Sequence, residues 1–363
     1  MFIKYLKLKD YRNYENLYID LNPNANVFIG DNAQGKTDIL ESIYLCSIGK
    51  SHRTNKDKEM IRWGQEGSMI NVYVKKERLD KKIDISISKE GKKGINVNSI
   101  KINRISDMIG ILNVVMFSPE DLKIVKESPS YRRRFLDIEL CKLNKKYYHN
   151  LVQYNRVLEE RNAALKKWKY VNDAILDIYD EQLAGYGSYI VSERIGYIEK
   201  LRDKGTRIHK DITSGAEEIR FEYLSCVKDD KNVMEEIKRK LKISRDKDFE
   251  RKTTSVGPHR DDFTISINGA DTRIYGSQGQ QRTSVLTIKF ATIEIIKEIT
   301  GEYPVLLLDD VLSELDLNRQ KYILNSINNI QTIITCTGIS DIKDYLNDGA
   351  AIFAVRSGKV TKI

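Results

Sequence analysis

The run Gly30-Asp31-Asn32-Ala33-Gln34-Gly35-Lys36-Thr37 fits the pattern G-x-x-x-x-G-K-[ST], a spacing that wraps backbone N–H groups around phosphate oxygens. Glycines let the main chain approach the ligand, and the start of the following helix adds partial positive charge. Lys36 reaches for the β- and γ-phosphates, and Thr37 offers its hydroxyl to Mg²⁺. That is the chemistry of a nucleoside triphosphate site. Its acidic half is the run Val305-Leu306-Leu307-Leu308 ending in Asp309-Asp310. A buried strand delivering paired carboxylates suits Asp309 to the metal and Asp310 to the attacking water. Asp310 has a shorter reach than a glutamate, so slow turnover is expected.

These residues need particular elements to position them. Val27-Phe28-Ile29 reads as a buried strand feeding the loop, and Ile39, Leu40, Ile43, Tyr44 and Leu45 recur at helical spacing after it. Strands are expected at 2–8, 17–21, 69–74, 83–88 and 114–117, making residues 1–127 a β-rich first part. No proline occurs between Pro129 and Pro258, and leucine-rich amphipathic periodicity fills the interval, so 128–255 is expected to be a helical arm. Residues 256–363 return to strand 263–267, an apolar helix from about 284 to 299, and strands at 305–308, 332–335 and 351–355. The fold class is α/β: a parallel-sheet core, an antiparallel β-lobe and an inserted helical domain.

Composition bounds the class further. The chain has 363 residues, 40% of them hydrophobic, and a net charge of +9, enough for more than one domain. No stretch approaches a membrane span and the first residues lack the apolar core of a signal peptide, so a cytoplasmic protein with no membrane contact is expected. The four cysteines and four histidines show no metal-ligand spacing. The charge is uneven: residues 50–104 hold 15 Lys/Arg against 7 Asp/Glu, whereas 251–363 balance at 13 each. A local basic surplus is a footprint for phosphate backbones, although solvated lysines produce the same count. Lys50, Arg53, Lys56, Lys81 and Lys82 are the candidate contacts to a nucleic-acid backbone, with Arg132 to Arg134 behind them. Phosphate reading predicts little sequence preference.

The turn Tyr275-Gly276-Ser277-Gln278-Gly279-Gln280-Gln281-Arg282, about 30 residues before the acidic strand, resembles the signature motif of ABC-type ATPases. The run Ser313-Glu314-Leu315-Asp316 is similar to the dimer-contacting loop after that strand. Eight runs in order then resemble the RecF family of bacterial DNA-repair ATPases: 10–14, 30–37, 50–54, 117–122, 130–137, 256–262, 277–282 and 307–316. The resemblance spans essentially the whole chain. It implies an ABC-type P-loop head with ATP and Mg²⁺ as cofactors, Thr37 and Asp309 on the metal, and an ATP-dependent homodimer that clamps DNA at single-strand gaps or junctions. RecO and RecR are the implied partners, RecA loading, replication and the SOS response the implied context, and weak DNA-dependent ATP hydrolysis the implied activity.

Residue by residue, the resemblance implies that Ser277, Gly279 and Gln280 act on nucleotide held by the second subunit. It puts Arg12 and Asn13 at nucleotide and Glu120 in a metal- or water-sensing loop. ABC transport heads carry a histidine where Thr335-Cys336-Thr337-Gly338 stands here, and Thr337 is the candidate replacement. His259, in Gly-Pro-His-Arg, reads as part of a structural turn rather than a catalytic group. The rival classes are a transport-type ABC subunit, an SMC-type chromosome-organising ATPase and a P-loop phosphotransferase. The first needs no basic lobe, the second needs far longer helices than 128–255 allow, and the third has no use for Ser277 to Gln280.

Overall fold

Alternating burial makes the first strands. β1 (Phe2–Tyr11) and β2 (Tyr14–Asp20) form a hairpin that alternates buried Leu6 and Leu8 of one strand and Leu17 and Ile19 of the other with exposed residues, as a sheet with one solvated face requires. β3 (Ala25–Ile29) buries Asn26, Val27 and Phe28 in succession, the pattern of a parallel strand covered on both faces. It leads through the phosphate-loop motif into α1 (Lys36–Ile48). β4 (Gly67–Lys75), β5 (Lys81–Ser88), β6 (Lys93–Val97) and β7 (Ile100–Ile102) extend the hairpin into an antiparallel sheet of order β2-β1-β4-β5-β6-β7. β8 (Val114–Phe117) follows.

The computed structural model describes residues 1–167, 173–227, 232–327, 329–338 and 350–363. These divide into two compact units, one of 1–121 with 289–363, the other of 122–288. In the second unit α2 (Lys123–Lys126) and α3 (Pro129–Leu143) precede the long helices α4 (Lys145–Lys167) and α5 (Asp173–Ile212). β9 (Ile219–Leu224), α6 (Val233–Ile243), α7 (Arg245–Arg251), β10 (Asp262–Ile267), β11 (Ala270–Asp271) and α8 (Thr272–Tyr275) complete it, up to the first half of α9 (Gln278–Thr300). The stretch 256–288, expected with the C-terminal head strands, clusters here because β10 pairs along its whole length with β9. A strand inside the expected helical arm was not foreseen.

The chain returns to the first unit with β12 (Val305–Asp309), α10 (Leu317–Ser326), β13 (Thr332–Cys336), β14 (Ala351–Arg356) and β15 (Lys359–Lys362). The second sheet runs β15-β14-β3-β13-β12-β8, parallel except for the edge strand β15. Residues of α1, of the antiparallel sheet and of the parallel sheet share one apolar core, from Leu6, Ile70 and Ile85 through Ile39 and Ile43 to Phe28, Leu307 and Ile333. Buried Gln331 links the two sheets: its Oε1 accepts from the Ile3 N–H at 2.6 Å and its Nε2 donates to the Ile3 and Asn22 carbonyls at 2.8 Å each.

The second unit carries polar groups in its interior. Arg161 is wholly buried and donates to Asp180 at 3.0 Å, Asp248 at 2.8 Å and Thr254 at 2.9 Å. Arg194 donates to Asp137, the Tyr147 hydroxyl and the Pro258 carbonyl. Buried guanidinium groups are tolerated only with such complements. The Gly-Pro-His-Arg turn closes with Arg260 N–H on the Gly257 carbonyl at 2.8 Å. His259 sits with Nδ1 2.7 Å from the Tyr154 hydroxyl and Nε2 3.0 Å from the Thr254 carbonyl. The carbonyl only accepts, so Nε2 carries the proton and Tyr154 donates to Nδ1. This is an internal structural histidine.

Burial pulls the His259 pKa down to about 4, against about 6.5 in an unfolded chain. Between those values the unfolded chain binds the proton and the folded one does not, so stability is fully present above the upper value and declines as pH falls through the interval. The urea midpoint is expected to drop from pH 7 to pH 5, and His259→Gln to flatten that slope; an unaltered slope refutes the assignment.

Candidate nucleotide site

The phosphate loop is held in shape by its neighbours. At Gly30 an added Cβ would lie 2.3 Å from the Val355 carbonyl oxygen of β14, so only glycine fits. Gly35, the residue before α1, has φ +110°, the left-handed region that glycine enters at no steric cost. The Tyr14 hydroxyl donates to the Gly35 carbonyl at 2.9 Å. Gln34 is gripped by the β14–β15 turn: its Oε1 accepts the Ser357 N–H at 2.6 Å and its carbonyl the Gly358 N–H at 3.2 Å. Asn13 Nδ2 reaches the Ala33 carbonyl at 3.4 Å. Asp31, Asn32 and Ala33 form the exposed crest, with Ala33 at φ 64°. The N-terminal amides of α1 therefore open toward an anion.

Lys36 and Thr37 meet the acidic strand end. Lys36 Nζ donates to the Gly30 carbonyl at 2.5 Å and the Asp31 carbonyl at 2.9 Å, which satisfies the ammonium on the loop it serves. Thr37 Oγ1 donates to Asp309 Oδ1 at 2.9 Å, and Thr335 Oγ1 donates to the same oxygen at 3.0 Å. β12 ends there because Asp310 has φ 53°, which breaks the extended backbone directly after Asp309. The Asp310 N–H donates to Thr335 Oγ1 at 3.1 Å, and its carbonyl accepts from Ser313 Oγ at 2.8 Å. Burial raises the Asp310 carboxyl pKa, Lys36 opposes the rise and Asp309 adds to it.

Sequence reasoning missed Thr335. The parallel register of β12 and β13 brings Thr335 opposite Asp309, whereas the candidate Thr337 lies exposed beyond the strand end. Glu120 is exposed in a short 3-10 turn. Asp121 in the same turn accepts the Ser118 N–H at 2.7 Å and pairs with Lys289 at 2.6 Å.

Arg12 sits in the β1–β2 turn at φ 50° and makes a bidentate pair with the buried carboxylate of Glu41 in α1, at 2.8 and 2.7 Å. Glu41 also accepts from Ser51 Oγ at 2.5 Å. Burial alone would raise the Glu41 pKa, but Arg12 and Ser51 hold it below the ordinary value. Arg53 pairs with Asp38 at 2.7 Å and leaves 42% of its side chain exposed. His52 packs edge-on against Tyr44, and its burial lowers its pKa. Beside Arg12 and Asn13, a cleft of about 420 Å³ is completed by Arg62, Trp63 and Ser357. Trp63 is 98% exposed there, a second feature that the sequence did not single out.

Of the other candidate DNA contacts, Lys50 and Lys56 are exposed. Lys81 and Lys82 are successive residues of β5, opposite Val74 and Tyr73, so strand alternation sends them to opposite faces of the sheet. Lys82 pairs with Asp84 at 3.2 Å. Ser277, Gly279 and Gln280 belong to the second unit. The Ser277 N–H donates to Gln280 Oε1 at 2.9 Å and the Gln280 N–H to Ser277 Oγ at 3.2 Å, a reciprocal capping box at the start of α9. The turn leaves Ser277 exposed, with Ile274 and Tyr275 exposed before it.

The donor set fits a nucleotide-bound Mg²⁺. Thr37 and Asp309 offer hard oxygen ligands, and Mg²⁺ is commonly held by one or two carboxylates together with substrate phosphates. Among the described residues no group of three or more His, Cys, Asp or Glu is placed to hold a metal.

A parallel sheet ending on this loop, flanked by an antiparallel lobe, defines an ABC-type P-loop ATPase head. The model of the RecF/RecN/SMC N terminal domain matches residues 2–360. The chain is 65% identical over 362 residues, all of both chains, to the DNA replication and repair protein RecF of Clostridium novyi (strain NT). The solved structure of the recombination mediator protein RecF-ATPrS in the RecFOR pathway superposes with TM-score 0.92 at 38% identity, covering 100% of this chain and 98% of that one. An SMC head bound to the C-winged helix domain of ScpA shares the fold, with TM-score 0.60 at 14% identity over 100% of this chain and 98% of that one. The chain belongs to the RecF family.

Gly30→Ala is expected to destabilise the protein by about 1–3 kcal/mol through overpacking against Val355, read as a lower urea midpoint at unchanged m-value.

Proposed function

We propose that this chain is an ATP-dependent DNA-binding protein of replication-coupled recombinational repair. The observation that carries the reading is the junction of Thr37 and Asp309 beneath a phosphate loop whose lysine rests on its own carbonyls. Lys36 moves from those carbonyls to the β- and γ-phosphates of ATP, and the amides at the start of α1 bind the remaining phosphate charge. Thr37 and Asp309 hold Mg²⁺, which when bound polarises the phosphate oxygens. Asp310 orients the attacking water and accepts its proton. The cleft beside Arg12, Asn13 and Trp63 receives the base and ribose.

Two copies close over ATP, each presenting the exposed turn at Ser277, Gly279 and Gln280 to nucleotide bound by the other. The dimer clamps DNA at single-strand gaps or junctions through Lys50, Arg53, Lys56 and Lys82, with Lys81 approaching from the other face of its strand. It acts with RecO and RecR to promote RecA loading and supports replication and the SOS response; slow hydrolysis resets the clamp. Family membership and the ATPrS-bound relative support this reading. A cytoplasmic site of action follows from it, and among the described residues no helix is long and apolar enough to cross a membrane.

The test is anisotropy of gapped duplex at fixed salt, with oligomeric state recorded. ATP is expected to drive both dimerisation and DNA affinity in the wild type and neither in Lys36→Met; binding that ignores ATP and the substitution removes the clamp. A second measurement addresses Asp310. Its short reach predicts single-turnover hydrolysis below about 1 s⁻¹, under the usual enzyme range, and loss of cleavage with retained ATP binding in Asp310→Asn; turnover of many per second contradicts it.

A further inference from the structure

The outer face of the antiparallel sheet carries an aromatic and lysine cluster that the nucleotide site does not use. Leu6 and Leu8 of β1 point to the core, so Tyr5, Lys7 and Lys9 point outward, as do Asn16 and Tyr18 of β2 and Met69, Asn71 and Tyr73 of β4. Register brings Tyr5 beside Tyr73 and Lys7 beside Tyr18. The Tyr5 and Tyr73 rings stack with centroids 5.4 Å apart at 24°, and the Tyr5 and Tyr18 rings lie 5.8 Å apart at 33°. Lys7 Nζ stands between two of them, 5.2 Å from the Tyr5 ring and 5.0 Å from the Tyr18 ring.

The rings are held by their polar edges. The Tyr18 hydroxyl donates to Asp20 at 2.8 Å and the Tyr73 hydroxyl to Asp80 at 3.0 Å, which fixes the orientation of both rings. Tyr18 is 55% exposed and Met69, along the same face, 46%. Lys7 and Lys9 are exposed and have no acidic partner among the described residues. Cross-strand packing accounts for aromatic pairs, but not for exposed ammonium groups without a carboxylate beside them. Protein-binding patches are depleted in lysine. Aromatic faces interleaved with cations instead fit the alternating bases and phosphates of a single strand.

We infer that this face is a binding platform for single-stranded DNA, with Tyr5, Tyr18 and Tyr73 stacking bases and Lys7 and Lys9 contacting the phosphates between them. The choice of DNA rests on the function proposed above and names the surface that takes its single-stranded arm; the platform itself requires no nucleotide.

The experiment is anisotropy of labelled oligothymidylate of about 15 nucleotides, without ATP, using the full chain as wild type, Tyr18→Ala, Tyr18→Trp and Lys7→Glu, with ATP-dependent duplex binding measured in parallel. Tyr18→Ala is expected to weaken oligothymidylate binding by about fivefold or more, Tyr18→Trp to retain it through its larger ring, and Lys7→Glu to weaken it and flatten its salt dependence. Duplex affinity should stay within about twofold throughout, which also shows that the variants fold. Absence of oligothymidylate binding in the wild type, or affinities within about twofold across the set, overturns the platform. So does a Tyr18→Ala effect on self-association alone, which would make the face a protein contact. Tighter binding of oligouridylate overturns the choice of DNA. Loss of the ATP-dependent duplex arm in the wild type refutes the clamp while leaving the platform to stand on the oligothymidylate series.

Discussion

One carboxylate oxygen organises the first unit. Asp309 Oδ1 accepts from Thr37 of α1 and Thr335 of β13 at once, and a buried carboxylate without such donors would be costly. For the three groups to coincide, β12, β13 and β3 must be in one register: Asp309 opposite Thr335, and Thr335 opposite Phe28. That register also puts the carboxyl ends of the parallel strands at one edge, where open α/β sheets place their ligands. The apolar core shared by α1 and both sheets fixes the helix start against this edge. The placing of the phosphate loop and that of the Asp309 carboxylate are thus consequences of one packing solution.

A second constraint acts from within α1. The helix is buried nearly all round, including Asp38 and Glu41, and these acids tie down separate stretches of chain. Glu41 holds Arg12 and Ser51, and Asp38 holds Arg53. The nucleotide-side turn and the basic turn at 51–53 are therefore fastened to the helix that begins at Lys36. Asn13 continues the link to the loop itself through Ala33. These ties run in short steps between the phosphate loop and residues proposed to touch DNA.

Local signals were legible; pairings were not. The loop motif, the apolar run ending in two acids and the helical spacing after Lys36 each lie within one window, so sequence alone located them. Thr335 escaped because its importance depends on a partner in another strand, and register is invisible to periodicity. β9 escaped because its alternation over six residues lies between long helices and acquires a partner only at β10. The 40-residue α5 runs unbroken through Gly185, Gly187 and Gly196, residues that lower helix propensity. The structure gives other reasons for glycine in that helix: at Gly205 a Cβ would come within 2.8 Å of Phe221, so its absence lets β9 approach.

The basic surplus shows how far a charge count carries. Residues 50–104 look uniformly cationic as a string, but Lys75 pairs with Asp80, Lys82 with Asp84, Lys89 with Glu66 and Lys93 with Asp57. The exposed pair of Lys89 with Glu66 adds little stability; the common effect of the four is to distribute charge, because each of these lysines already has a carboxylate beside it. Alternation divides the surplus again, with Lys81 and Lys82 on opposite faces of β5. Among the described residues Lys50, Lys58 and Lys101 of that segment have no acidic partner, and neither do Lys7 and Lys9 of β1, where the string shows only an ordinary alternating strand. A binding face is set by which cations lack partners and what lies between them, and both properties arise only when strands pair.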